Sequence, residues 1–150
     1  MCFLPLIGCE IPTIHSTYDK APSMAELAGV WTAHYHGKIL NDTTEYRQFQ
    51  SEAVETLTLY LDGTYRQDFD DRAGYEYHSP TSTFRVAREN DGGVYVYLKG
   101  MRYYPSGIKS AESASPESEG YLRMEGEIQR AILCFGNDDL ALCFRRNASK

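Results

Sequence analysis

His34 and His36 stand two residues apart in the segment Trp31-Thr32-Ala33-His34-Tyr35-His36. On an extended strand that spacing puts both imidazoles on one face, the arrangement of an H-x-H pair of metal ligands. Trp31, Ala33 and Tyr35 take the opposite, apolar face, which is the one to expect inside. The two His then face solvent, and the expectation is a pair of surface histidines with no metal bound. A metal-dependent activity would need a third His or carboxylate within reach of both, for which His78 is the candidate. Asp68, Asp70 and Asp71 lie close to Arg66 and Arg72. Paired carboxylates do acid–base work where a cleft perturbs their pKa. Alternation puts Asp68 and Asp70 on an outer face, so they read as a solvated charged surface. No serine elbow and no phosphate-cradling glycine motif occurs. Neither catalysis nor a cofactor is implied.

The four cysteines are Cys2, Cys9, Cys134 and Cys143, with no C-x-x-C pair among them to suggest a zinc knuckle. If Asp138-Asp139 forms a two-residue turn, Cys134 stands directly opposite Cys143, on the face away from Leu133, Phe135, Leu142 and Phe144. An oxidising location then permits a cross-strand disulfide. A wider turn shifts the pairing by two and removes that arrangement. Cys9 closes the tetrad Leu6-Ile7-Gly8-Cys9, which fits the lipobox pattern cut by a bacterial signal peptidase before the cysteine is acylated. On this reading residues 1–8 are a truncated signal segment and 9–22, with Pro12 and Pro22, a flexible tether. Residues 23–150 are then a single domain. The protein would be a lipoprotein of the bacterial cell envelope, held to the membrane by lipid alone. The alternative is an apolar tail on a cytoplasmic protein.

A chain of 150 residues can bury one genuine core. Its longest uncharged apolar run is the first nine residues, far short of the roughly 20 that a spanning helix needs. With 21 acidic and 15 basic residues the formal charge is −6, and the basic stripe of a nucleic-acid binder is missing. Twelve Tyr, six Phe and one Trp favour pleated surfaces, where a ring packs and a hydroxyl stays wet.

Those residues must be positioned by short elements. Ser23-Met24-Ala25-Glu26 fits a capping box opening a helical turn over 23–28. Gly29 to Gly37 reads as a strand, and 38–53 as a long connection with a short edge strand. Glu55 to Leu61 and Thr64 to Asp70 alternate on either side of Asp62-Gly63. A three-residue loop with Gly63 in the left-handed region pairs Leu59 with Tyr65 and Leu57 with Gln67. Leu57, Leu59, Tyr65 and Phe69 then share an inner face, whereas a one-residue slip would scatter them. Further strands are expected at 74–78, 82–88 and 94–99, with a short one over Met101 to Tyr104. Pro105 to Gly120 reads as a mobile loop. Tyr121 to Phe135 fits either a helix or a strand, a last strand runs from Leu140 to Arg146, and a terminal β-hairpin is the simpler reading. About eight to ten short strands with tight turns hide their edges best by closing into an up-and-down barrel.

Gly29-Val30-Trp31, following a helical turn and opening the first strand, resembles the G-x-W signature of lipocalins and other calycin barrels. That resemblance implies a Trp packed across the closed end beneath a basic side chain from the last strand, supplied here by Arg145 or Arg146. The Glu55–Leu59 run with Asp62-Gly63-Thr64-Tyr65 is similar to the second hairpin of small lipocalin-like domains of bacterial lipoproteins. The T-D-Y motif and the helix after the barrel are missing. The likeness implies a small apolar or amphipathic ligand inside the barrel. Candidate lining residues are Leu57, Leu59, Tyr65, Gln67 and Phe69, with Tyr95 or Tyr97 according to register. The competing reading is an envelope interaction or structural module. Its barrel would be filled, and Tyr-bearing outer faces and the acidic 105–120 loop would meet the partner.

Overall fold

The computed structural model describes residues 18–35, 52–135 and 142–148. Cys2, Cys9, the lipobox, His36, the expected edge strand within 38–51 and the Asp138-Asp139 turn lie outside these residues.

Helix α1 (Met24–Leu27) begins at Ser23, whose hydroxyl accepts from the Glu26 amide while the Glu26 carboxylate accepts from the Ser23 amide. The reciprocal cap satisfies amides that so short a helix cannot bond itself. Among the described residues nine antiparallel strands follow: β1 (Gly29–His34), β2 (Val54–Leu59), β3 (Thr64–Asp70), β4 (Glu76–His78), β5 (Ser82–Arg88), β6 (Val94–Lys99), β7 (Glu119–Glu125), β8 (Ile132–Phe135) and β9 (Leu142–Arg146). Eight of them close a ring in the order β1, β2, β3, β5, β6, β7, β8, β9 and back to β1, and β4 is an extra strand on β3. Closure removes the sheet edges that would otherwise template aggregation.

The β2–β3 hairpin has the bulged register expected of it, with Leu59 opposite Tyr65 and Leu57 opposite Gln67. Gly63 takes φ +80°, and its amide donates to the Tyr60 carbonyl at 3.2 Å. Alternation then buries Trp31 and Ala33 of β1 with Tyr35 just beyond its end, Leu57 and Leu59 of β2, and Tyr65, Gln67 and Phe69 of β3. His34 is exposed on the outer face, as are the carboxylate-bearing positions Asp68 and Asp70 in part.

Two expectations need correction. Met101 to Tyr104 adds no strand. Met101 is buried, and a 3₁₀ turn, Tyr104–Ser106, starts at Tyr104 with Pro105 in its first positions. The loop expected over 105–120 contains helix α2 (Ile108–Glu112), anchored by buried Ile108 and Ala111. These two are spaced three apart, so one helical face reaches the core. Tyr121 to Phe135, open between helix and strand from sequence, is strand in β7 and β8, with a 3₁₀ turn (Ile128–Arg130) between them.

One end of the barrel is latched. The Trp31 indole donates to the Leu27 carbonyl at 2.9 Å, and Arg146 donates to the Glu26 carbonyl. Both carbonyls belong to the last turn of α1, where no backbone donor is left for them. The guanidinium of Arg146 lies 4.6 Å from the Trp31 ring centroid. Arg145, the other of the two candidates from sequence, is opposite Thr32 and points to solvent. Leu142 and Phe144 face inward, so Arg146 is the basic residue with their parity.

Cys134 and Cys143 are direct cross-strand partners, Cα to Cα 4.1 Å, joined by a disulfide.

Candidate functional site

The jog between β4 and β5 makes the site. Asp68 pairs with His78, and Tyr65 pairs with Ser82. Three steps along β3 are therefore matched by four along its partner, a bulge spanning Ser79-Pro80-Thr81. Pro80 has no amide to offer the ladder. Ser79 covers the break: its amide donates to the Gln67 carbonyl at 2.8 Å, and its hydroxyl accepts from the Gln67 amide at 2.8 Å. Beyond the jog, β5 turns to pair with β6 while β4 stays on β3. A gap opens in the wall between β4 and the chain leaving β6.

The gap is a cleft of about 560 Å³. Its floor is Tyr65 and Tyr77, and one flank is the jog, residues 79–83. The other flank is Lys99, Gly100 and Arg102, with Ala114, Pro116 and Glu117 forming a rim. Gly100 is required there, because its φ is +72° and a Cβ would sit 3.0 Å from the Pro116 carbonyl oxygen. The Lys99 ammonium is already paired with Glu117 at 2.7 Å. Arg102 forms no ion pair among the described residues. Its guanidinium lies 3.8 Å from the Tyr77 ring centroid and reaches the Tyr75 hydroxyl only at 3.4 Å.

Behind the cleft is a buried polar chain. The Gln67 carboxamide donates to the Glu55 carboxyl at 2.6 Å and to the Arg102 carbonyl at 2.7 Å, and accepts from the Arg102 amide at 2.9 Å. The Tyr35 hydroxyl donates to the other Glu55 oxygen. Burial pushes the Glu55 carboxyl up to about 7, against these two hydrogen bonds, which favour its charged form. Burial and the adjacent carboxylate push the Tyr35 hydroxyl well up. No Lys, Arg or His forms an ion pair with Glu55 among the described residues. Glu55 was not singled out from sequence. The available signal was its parity with Leu57 and Leu59.

An aromatic stack closes this end of the interior. Phe69 and Tyr104 are parallel with centroids 3.9 Å apart, and Tyr35 meets Phe69 edge-on at 5.5 Å. Of the lining residues expected from sequence, Leu57, Leu59, Gln67 and Phe69 face inward and belong to the packed core or the polar chain. Tyr65 faces inward and also forms part of the cleft floor, its hydroxyl donating to the Lys99 carbonyl at 2.7 Å.

Tyr95 and Tyr97 are not in the interior. Val94, Val96 and Leu98 occupy the inner positions of β6, and the two Tyr join Tyr121 on the outside. The three ring centroids are 5.7 to 6.2 Å apart. Arg85 covers Tyr97 at 3.8 Å, and Tyr121 is 58% exposed.

The outer carboxylates are taken up locally. Asp68 contacts Arg66 at 3.2 Å and His78 at 2.7 Å, and Asp70 contacts Arg72 at 3.1 Å. Asp71 is buried and shapes its own loop by accepting from the Ala73 and Tyr75 amides, both at 2.8 Å. Among the described residues no three His, Cys, Asp or Glu side chains gather as a metal site, and no helix is long and apolar enough to cross a membrane.

No family model matches the chain, and neither a curated protein sequence nor a solved structure matches it.

Proposed function

We propose that this protein is an exported, lipid-anchored, lipocalin-like barrel that binds a small amphipathic molecule, and that the ligand sits in the cleft through the wall. The observation that carries this reading is the cleft of about 560 Å³ at the β4–β5 jog. Its size falls within the roughly 300–1,000 Å³ of small-molecule sites. Its surfaces pair tyrosine and proline faces with hydroxyls and one arginine, the mixture an amphipathic ligand needs. The export part rests on the lipobox at Cys9 and on the Cys134–Cys143 bridge, since disulfides persist in oxidising compartments. Nothing in the residues gathered at the cleft forms a nucleophile–base pair, which favours binding over catalysis.

The test is titration with an environment-sensitive amphipathic dye, 1-anilinonaphthalene-8-sulfonate, on wild type and Ala114→Trp. Ala114 is on the rim, so an indole there fills the cleft from outside the core. Saturable one-to-one binding lost in the variant supports the reading. Undiminished binding by a folded Ala114→Trp protein refutes the location. Acylation is tested separately by palmitate labelling in a bacterial host, with Cys9→Ala expected to abolish the label.

A second reading has its own observation. The outer Tyr95, Tyr97 and Tyr121 face, with Tyr121 58% exposed, suits an envelope interaction module, because aromatic side chains are enriched at protein interfaces. Tyr121→Ser combined with Tyr97→Ser should then abolish partner cross-linking while leaving dye binding intact.

A further inference from the structure

Resting on the cleft as the ligand site, we infer that its ligand carries an anionic head, a carboxylate or an equivalent oxyanion, and that Arg102 is the residue that holds it. Three observations converge on Arg102. Arg102 lines the cleft, with its guanidinium over Tyr77 of the cleft floor, and no carboxylate lies within ion-pair distance of it among the described residues. The other cation of the cleft, Lys99, is neutralised by Glu117 at 2.7 Å.

The guanidinium is held in place. Its plane is backed by the Tyr77 ring at 3.8 Å. Its own backbone is clamped by the Gln67 carboxamide through two hydrogen bonds of 2.7 and 2.9 Å. A planar five-donor group fixed against an aromatic face, with no counter-ion, is built to accept a bidentate oxyanion. The rest of the cleft suits the tail of the same molecule, through the faces of Tyr65 and Pro116 and the small side chain of Ala114. In a chain of net charge −6 the long-range field repels anions, so selectivity for one has to come from this local group.

The experiment compares two probes that differ only in the head, decanoate and decanol, by isothermal titration of the full chain. Wild type is expected to bind decanoate about ten- to a hundredfold more tightly than decanol, the range for a charge-assisted hydrogen-bonded pair. Arg102→Gln, which keeps the backbone groups bonded to Gln67, is expected to lose that preference and retain decanol affinity. Arg102→Lys is expected to recover part of the preference. Should Arg102→Gln fail to fold, wild type alone still decides: decanoate binding must weaken when salt is raised to about 0.5 M, where screening is strong, and decanol binding must not. Equal affinity for the two probes, or a preference that survives in folded Arg102→Gln, overturns the anionic assignment while leaving the cleft as a binding site. Binding of neither probe overturns both.

Discussion

The guanidinium of Arg146 lies over the Trp31 indole, 4.6 Å from the ring centroid, and the two residues are direct partners across β1 and β9. Each also donates to a carbonyl at the end of α1. This contact joins the first strand, the last strand and the helix that covers one end. Trp31→Ala should cost about 3–5 kcal/mol in denaturant unfolding, as for large aromatic truncations in cores. Arg146→Gln should cost about 1–2 kcal/mol through the lost stacking and hydrogen bond. Arg145→Gln should stay within about 0.5 kcal/mol, as exposed substitutions do.

Glu55 sets a pH dependence with a definite sign. Its carboxyl is raised from 4.5 to about 7 in the fold, so between those values the native state binds the proton and the unfolded chain does not. Stability from this group is present below about 4.5 and is lost as pH rises through about 7. The loss should be on the order of 3 kcal/mol at full ionisation. Glu55→Gln should flatten the profile between pH 4.5 and 7. Parallel urea titrations of the two proteins across that range are the check, and superimposable slopes would count against a buried Glu55.

The Cys134–Cys143 bridge closes a short loop, with a sequence separation of nine. Reduction should raise the intact mass by two daltons. The chain-entropy relation gives about 2.5 kcal/mol of lost stability for a loop of that length, measurable by comparing Cys134→Ser/Cys143→Ser with the oxidised protein.

Asp71→Ala should destabilise by about 1–3 kcal/mol, because two backbone amides, of Ala73 and Tyr75, lose their acceptor at a buried position. Asp70→Ala, nearby but on the surface, loses the ion pair with Arg72 and the acceptor of one exposed backbone amide, that of Arg72, and should cost less, about 0.5–1.5 kcal/mol. Thermal unfolding of both variants separates the loop-building carboxylate from the surface one.

The β2–β3 hairpin was legible in the sequence because only one register puts Leu57, Leu59, Tyr65 and Phe69 together. On β6 the same reasoning had no purchase. Val94-Tyr95-Val96-Tyr97-Leu98 is apolar at both parities, and the face is decided by pairing with β5 and β7, in which Val96 meets Val86 and Leu122. Helix α2 was missed because two anchors, Ile108 and Ala111, stand in a Ser- and Glu-rich run. Glu55 escaped notice because a charged residue at the start of an alternating strand reads as an exposed end. The cleft depends on long-range pairing across β3. Its one local trace was Pro80 between two strand-like runs.

A jog of a single residue has an architectural consequence. Barrels that hold ligands along their axis must keep one mouth free, and the chain that stoppers it controls traffic. Here the α1 latch occupies one mouth and the Phe69–Tyr104 stack obstructs the other. A side window uncouples the two tasks. A ligand held in the proposed cleft would exchange through the wall while both stoppers stay seated, so its rate of exchange need not track the stability of either cap. Deleting one residue of Ser79-Pro80-Thr81 would bring β4 and β5 into a common register and brick up the window without touching the ends.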